Sequence, residues 1–229
     1  MGGAGGADSR LRRFQRQESA ATAAPGVAVE LNRLGEEKMG KRGDRKLQIL
    51  QTLARMLEQP AAEKITTAAL AANLEVSEAA LYRHFASKAQ MFEGLIEFIE
   101  ETLFGLINKI TTEEKSGLKQ LEAVTAMLLG FAQKNRGMTR VLIGDALVHE
   151  NERLQQRINQ LHDRVEATLK QALRFAAGQN EIPATPDPTA RANLIMSFIT
   201  GRWHQYAKSG FKRDPMQYWD EQWQALLAQ

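Results

Sequence analysis

Apolar side chains recur along this chain every three or four residues and almost nowhere every two. From Asp44 onward, Leu47, Ile49, Leu50, Leu53, Ala54 and Leu57 form one stripe of a 3.6-residue period ending before Pro60, which predicts a first helix. Thr66 stands where an N-cap would open a second, short helix through Leu70 and Ala71 to about Leu74. After a break at Glu75 and Val76, Ser77 caps a third, Glu78 to Phe85. Ser87 caps a longer fourth, with Met91, Phe92, Leu95, Ile96, Ile99, Leu103, Leu106 and Ile110 on its inner face. Helices over about Leu118 to Lys134 and around Thr139 to Leu147 follow. The most regular stripe comes next: Leu154, Ile158, Leu161, Val165, Leu169 and Leu173, spaced by four, three, four, four and four. Gly178 to Pro188 holds three of the six prolines and reads as a loop. Two helices close the chain, about Thr189 to Lys208 and Pro215 to Leu227. The expectation is an all-α protein of about nine helices.

Charge divides this helical chain unevenly. Lys+Arg 30 against Asp+Glu 27 gives only +3. Residues 1–40 carry 6 basic and 5 acidic groups, residues 41–88 carry 8 and 5, and residues 89–229 carry 16 and 17. The positive excess therefore lies in the block that holds the first three helices, as expected of a phosphate-facing module on a near-neutral body. Residues 1–43, rich in Gly, Ala, Arg and Gln with no sustained apolar period, read as a disordered basic arm. The absence of cysteine excludes disulfide scaffolds, thiolate metal sites and Cys nucleophiles. The longest apolar stretch, Ala123 to Ala132, is about half a membrane span, and no apolar core of a secretory signal follows the arginines at 10–16. The expectation is a protein of the cytoplasm, without membrane contact.

The informative stretch runs from Ile65 to Lys88, ITTAALAANLEVSEAALYRHFASK. Two short helices around a tight turn, led in by the basic Lys41, Arg42, Arg45 and Lys46, have the layout of a helix-turn-helix, whose second helix enters the DNA major groove. Ala79 and Ala80 would let the backbone approach the bases. Tyr82 and His84 offer donors to phosphate, and Arg83 can neutralise a phosphate or pair with guanine. Thr66 can hold a phosphate at its helix N-terminus, and Lys88 lies within reach of the backbone. Thr66 and Ser77 also read simply as caps, while Leu70, Ala71, Val76, Leu81 and Phe85 read as the module's own small core.

With these residues on the page, the stretch LYRHFASKAQMFEGLIEFIE resembles the end of the DNA-binding domain of TetR-type regulators, in which a Tyr-x-His-Phe-x-x-Lys element closes the recognition helix. ITTAALA, VSEAALYRHF, SKAQMFEGLIEFIEETL, LLGFAQKNRGMTRVL, GDAL and NERLQQRINQL extend the resemblance, from about residue 44 to 229, to the nucleoid-occlusion branch of that family. It implies a TetR-like fold: a three-helix DNA-binding domain over 44–88 and a helical bundle over 89–229 for dimerisation and partner binding. It also implies a homodimer on palindromic chromosomal sites that binds the C-terminal tail of the tubulin-like division protein FtsZ and blocks ring assembly over the nucleoid. Carried over by position, DNA contacts would come from Thr66, Ser77, Ala79, Tyr82, Arg83, His84 and Lys88, and the FtsZ groove from Phe98, Met127, Gly130, Lys134 and Asn135. A basic family position falls on Leu106, and Lys134 replaces an Arg, keeping charge but losing bidentate geometry. Read from the residues alone, an apolar slot ending in a cation suits a short acidic peptide, and Phe98 and Met127 as plain core remains open.

All three tryptophans lie in the last two helices, with Phe198, Trp203, Tyr206, Tyr218, Trp219 and Trp223. They read either as a domain core or, the reading favoured here, as a subunit interface built by Phe198, Trp203, Tyr206, Trp219 and Trp223. The alternative function is a repressor released by a small-molecule inducer. Enzyme chemistry is disfavoured. His84, His149, His162 and His204 make no HExxH, and no phosphate loop or nucleophile elbow appears. His149 with Glu152 is a weak metal pair, so no metal or cofactor is expected.

Overall fold

The structure, a computed structural model, describes residues 44–59, 65–183 and 187–227. The arm expected over 1–43, with Arg42, lies outside them. Among the described residues the elements are α1 (Asp44–Met56), α2 (Thr67–Asn73), α3 (Glu78–Tyr82), α4 (Lys88–Glu113), α5 (Gly117–Lys134), α6 (Arg136–Leu142), a 3-10 turn (Asp145–Leu147), α7 (Glu152–Gly178), α8 (Thr189–Lys208) and α9 (Trp219–Leu227), with no strand.

The capping hydroxyls set where the helices begin. Thr66, Ser77, Ser87 and Ser116 each sit in extended backbone and accept from the N–H three residues on, contacts worth about 1 kcal/mol apiece. Helix ends depart from the periodicity where tertiary packing intervenes. α3 stops at Tyr82 because the N–H groups of His84 and Phe85 both turn back to the Leu81 carbonyl, and the Phe85 ring drops into the core. The piece expected over 139–147 is instead α6 and a separate 3-10 turn, parted by Gly144 at φ 77°. Pro215 to Tyr218 forms a turn, so α9 starts four residues later than the pattern suggests.

The core of the body is the α7 stripe. Leu154, Ile158, Leu161, Val165, Leu169 and Leu173 are all within 1% of full burial, and α7 packs against α4, α5 and α8. The N-terminal helices join this body chiefly through α1. α1 packs on α4, with Leu50 3.4 Å from where a Cβ at Gly94 would stand, and Ile49 and Leu53 are buried. It also lies on α6 at Gly137, where an added Cβ would stand 1.8 Å from the Ala54 carbonyl oxygen. No larger residue fits that crossing without moving α1.

The aromatic cluster belongs to this core, and the expected interface is corrected accordingly. Trp203 is fully buried and donates its indole N–H to the Leu128 carbonyl at 3.0 Å. Tyr206 is 3% exposed and donates to the Gln133 carbonyl. Trp219 and Trp223 stack at 5.2 Å and are likewise buried. Side chains already removed from water in one chain have no area left for a partner to cover. Phe198 alone of the five is half-exposed. The outward face of α8 is a different set, Ala190, Leu194, Ser197 and Gly201, with Leu194 52% exposed.

Candidate nucleic-acid interface and partner groove

α2 and α3 are fastened to each other at their exposed edge. Thr67 Oγ1 donates to the Glu78 carboxylate at 2.5 Å, and the Tyr82 hydroxyl reaches Thr67 Oγ1 at 3.5 Å. This chain fixes the angle between the two short helices, and it pulls the one acidic side chain of α3 toward α2. Neither the Thr67 nor the Glu78 contribution was legible, since the pairing spans the turn. On the outer face Ala79, Tyr82 and Arg83 are exposed and His84 half-exposed. Arg83, at the C-cap of α3, has no protein partner among the described residues. An unpaired guanidinium beside a small-residue patch on a short capped helix is what base or phosphate contact requires.

The other predicted contacts divide. The Thr66 and Ser77 hydroxyls are occupied as caps, accepting from Ala69 and Ala80 at 3.1 and 3.3 Å, yet both residues are exposed. Arg45 donates to Gln48. Lys46 is exposed, with its ammonium 5.6 Å from the Phe85 ring centre. Lys88 is the exception. Its ammonium lies over the Phe92 ring and pairs with Glu150 at 2.5 Å, both side chains largely buried. Here it joins α4 to the turn before α7 instead of facing outward.

The groove residues on α4 and α5 also differ in kind. Phe98 is half-exposed and Lys134 exposed, and Gly130 has nothing within 4 Å of an added Cβ, so its surface is open. Met127 is buried at 6%, and the Asn135 amide is spent on the Phe131 carbonyl at 2.8 Å as it closes α5. Leu106 is 6% exposed and therefore belongs to the apolar interior, where a cation would be costly. No group of three or more His, Asp or Glu among the described residues is placed to hold a metal, and no described helix is long and apolar enough to cross a membrane.

A short helix-turn-helix resting on a single helical body is the construction of the TetR-type DNA-binding regulators. Residues 49–95 match the family described as bacterial regulatory proteins, tetR family, and residues 115–229 match a tetracyclin repressor-like C-terminal domain. The fatty acid degradation regulator FadR from Bacillus halodurans superposes with a TM-score of 0.70 at 15% identity, covering 82% of this chain and 97% of that one. The TetR family regulator PfmR from Thermus thermophilus superposes at 0.65 and 20%, covering 78% and 96%. These likenesses concern the fold. Two proteins called nucleoid occlusion factor SlmA are far closer in sequence. That of Marinomonas is 50% identical over 186 residues, 81% of this chain and 94% of that protein. That of Idiomarina loihiensis is 48% identical over 196 residues, 86% and 98%. The chain belongs to the SlmA family of nucleoid occlusion factors, DNA-binding regulators and not enzymes.

Proposed function

We propose that this protein works as a homodimer on palindromic chromosomal sites and, from there, binds the C-terminal tail of FtsZ and keeps the division ring from assembling over the nucleoid. Residues 44–88 serve as the DNA-binding module and 89–229 as the dimerisation and partner-binding body. The observation that carries the reading is the exposed α3 face, on which Ala79, Tyr82 and Arg83 stand outward. DNA contact uses these with Thr66, Ser77 and His84, the basic lead-in Arg42, Arg45 and Lys46, and Lys88 once phosphate has displaced Glu150. The FtsZ tail lies over Phe98 and the open strip at Gly130, toward Lys134. Met127 forms the floor beneath it, and Asn135 fixes the end of α5.

The dimer in this reading uses the outward stripe of α8, Leu194, Ser197, Phe198 and Gly201, whose small members let two helices approach closely. Palindrome readers need a two-fold dimer that spaces recognition helices about 34–36 Å apart. The test is fluorescence anisotropy of a labelled FtsZ C-terminal peptide titrated with the full chain, with and without a palindromic duplex that the protein itself selects. Saturable peptide binding strengthened by the duplex is expected. Tight duplex binding with no peptide binding in either condition would favour a repressor released by a small inducer. Arg83→Ala should weaken specific duplex binding and lower the salt slope by about one.

A further inference from the structure

The loop between α8 and α9, residues 209–218, is held unusually firmly for an exposed connection. Ser209 Oγ accepts from the backbone N–H of Lys212 and of Arg213 at 3.1 and 2.9 Å. Arg202 donates to the carbonyls of Asp214, Pro215 and Gln217 at 2.7, 3.0 and 2.8 Å. Asp214 accepts from the Met216 N–H and, through its other oxygen, from the Gln133 amide at 3.0 Å. The last bond fastens the loop to the C-terminal turn of α5, one residue from Lys134.

Two non-glycine residues in this loop have left-handed backbone, Phe211 and Tyr218, both at φ 63°. Such a conformation is unfavourable for a large L side chain and persists only where its surroundings impose it. For Phe211 the compensation is visible. Its ring packs edge-on to Tyr206 at 5.1 Å and lies under the guanidinium groups of Arg136 and Arg140. Tyr218 has no such return: it is 61% exposed, with no aromatic or cation–π contact among the described residues. Directly after Phe211 in the chain, Lys212 and Arg213 are exposed, and neither side chain has a hydrogen bond or ion pair among the described residues.

We infer that this loop is a second contact for the same partner tail, with Lys212 and Arg213 receiving its carboxylates and Tyr218 one of its side chains. The inference rests on the FtsZ reading given above and extends the groove past the end of α5. Charge complementarity names the occupant, an acidic peptide segment continuous with the part lying near Lys134. A tail is favoured over a duplex by position, because the Asp214–Gln133 bond sets this loop against the end of α5 and so next to the groove. A rigid loop also gives affinity with little ordering cost on binding.

The experiment uses the full chain and a labelled FtsZ C-terminal peptide, with duplex binding measured in parallel. Lys212→Glu with Arg213→Glu should weaken peptide binding about five- to ten-fold at low salt, and less as salt rises, with duplex affinity unchanged. Tyr218→Gly relieves the left-handed strain, so it should raise the melting temperature while weakening the peptide several-fold. That opposite movement would not follow from a merely structural tyrosine. Unchanged peptide affinity in both variants overturns the inference. A fall in duplex affinity and salt slope with the peptide unaffected also overturns it, and assigns the cations to phosphate. Failure of the wild-type chain to bind the peptide at all removes the FtsZ reading first, and is seen before any variant is made.

Discussion

The Lys88 ammonium and the Glu150 carboxylate, 62 residues apart in sequence and 2.5 Å apart in space, tie the first turn of α4 to the turn before α7. Lys88 follows α3 by only a few residues, so in the proposed DNA complex a phosphate would compete with Glu150 for one cation. Glu150→Gln removes the competitor while keeping the side-chain shape. Duplex affinity should rise about three- to ten-fold at low salt, with a salt slope steeper by about one. The melting temperature should fall by the few degrees that the loss of about 1 kcal/mol implies for a protein of this size. An unaltered slope, read from duplex titrations across a salt series, would confine Lys88 to holding the body together.

Two glycines seven residues apart should respond oppositely to alanine. A Cβ at Gly130 meets nothing within 4 Å, and the residue lies inside α5. Gly130→Ala should therefore stabilise the protein by up to about 1 kcal/mol through helix propensity, while the new methyl group in the groove weakens the FtsZ peptide. At Gly137 the Cβ would collide with the Ala54 carbonyl, so α1 must shift away from α6. Gly137→Ala should cost about 1–3 kcal/mol and impair duplex binding by tilting the DNA-binding module. Thermal melts with peptide and duplex titrations of both variants decide the matter; equal loss of both ligands in Gly130→Ala would make that strip structural.

The helices were legible because their signal is local: caps at Thr66, Ser77 and Ser87 and a 3.6-residue period need only neighbours in the chain. The helix-turn-helix face was legible for the same reason, with Arg83 and Ala79 outward and Leu81 and Phe85 inward as expected. Contacts between distant segments were not. Nothing near Lys88 announces Glu150, and nothing near Thr67 announces Glu78 across the turn. The tryptophans misled for another reason. A Trp suits a core and an interface equally, and it is burial within one chain, with the Trp203 indole donating to the Leu128 carbonyl, that decides for the core. The outward stripe of α8 is compositionally mild, and small residues carry no local signal beside three tryptophans.

That stripe carries its own prediction. Leu194 is an exposed large apolar residue on α8, with Ser197 and Gly201 one and two turns on. Leu194→Glu would place one carboxylate on each side of the proposed two-fold contact while leaving the buried face of α8 intact. Sedimentation should show a folded monomer at concentrations where the wild-type chain is a dimer, and affinity for a palindromic duplex should fall far more than affinity for a half-site. A dimer that survives would move the interface to another face.

The last prediction concerns pH and follows from His162. Its ring lies 5.9 Å from that of Trp203, its Nε2 is buried without a partner, and it is hydrogen-bonded to the Leu142 backbone. Burial holds its pKa below the ordinary histidine value, with His204 acting in the same direction and the Leu142 bond and Asp163 opposing. In the unfolded chain the imidazole takes up a proton near pH 6.5, which the folded chain accepts only at lower pH. Above about pH 6.5 both states are neutral there, and the group adds no pH dependence. As pH falls below that value the unfolded state binds more protons, so stability drops by at most about 1.4 kcal/mol per pH unit until the folded pKa is passed. His162→Asn keeps a donor for Leu142 and removes the titration. Melting curves between pH 7.5 and 5.5 should therefore fall less steeply for the variant than for the wild-type chain. Equal slopes would mean that the buried imidazole is protonated as readily in the folded protein as in the unfolded one.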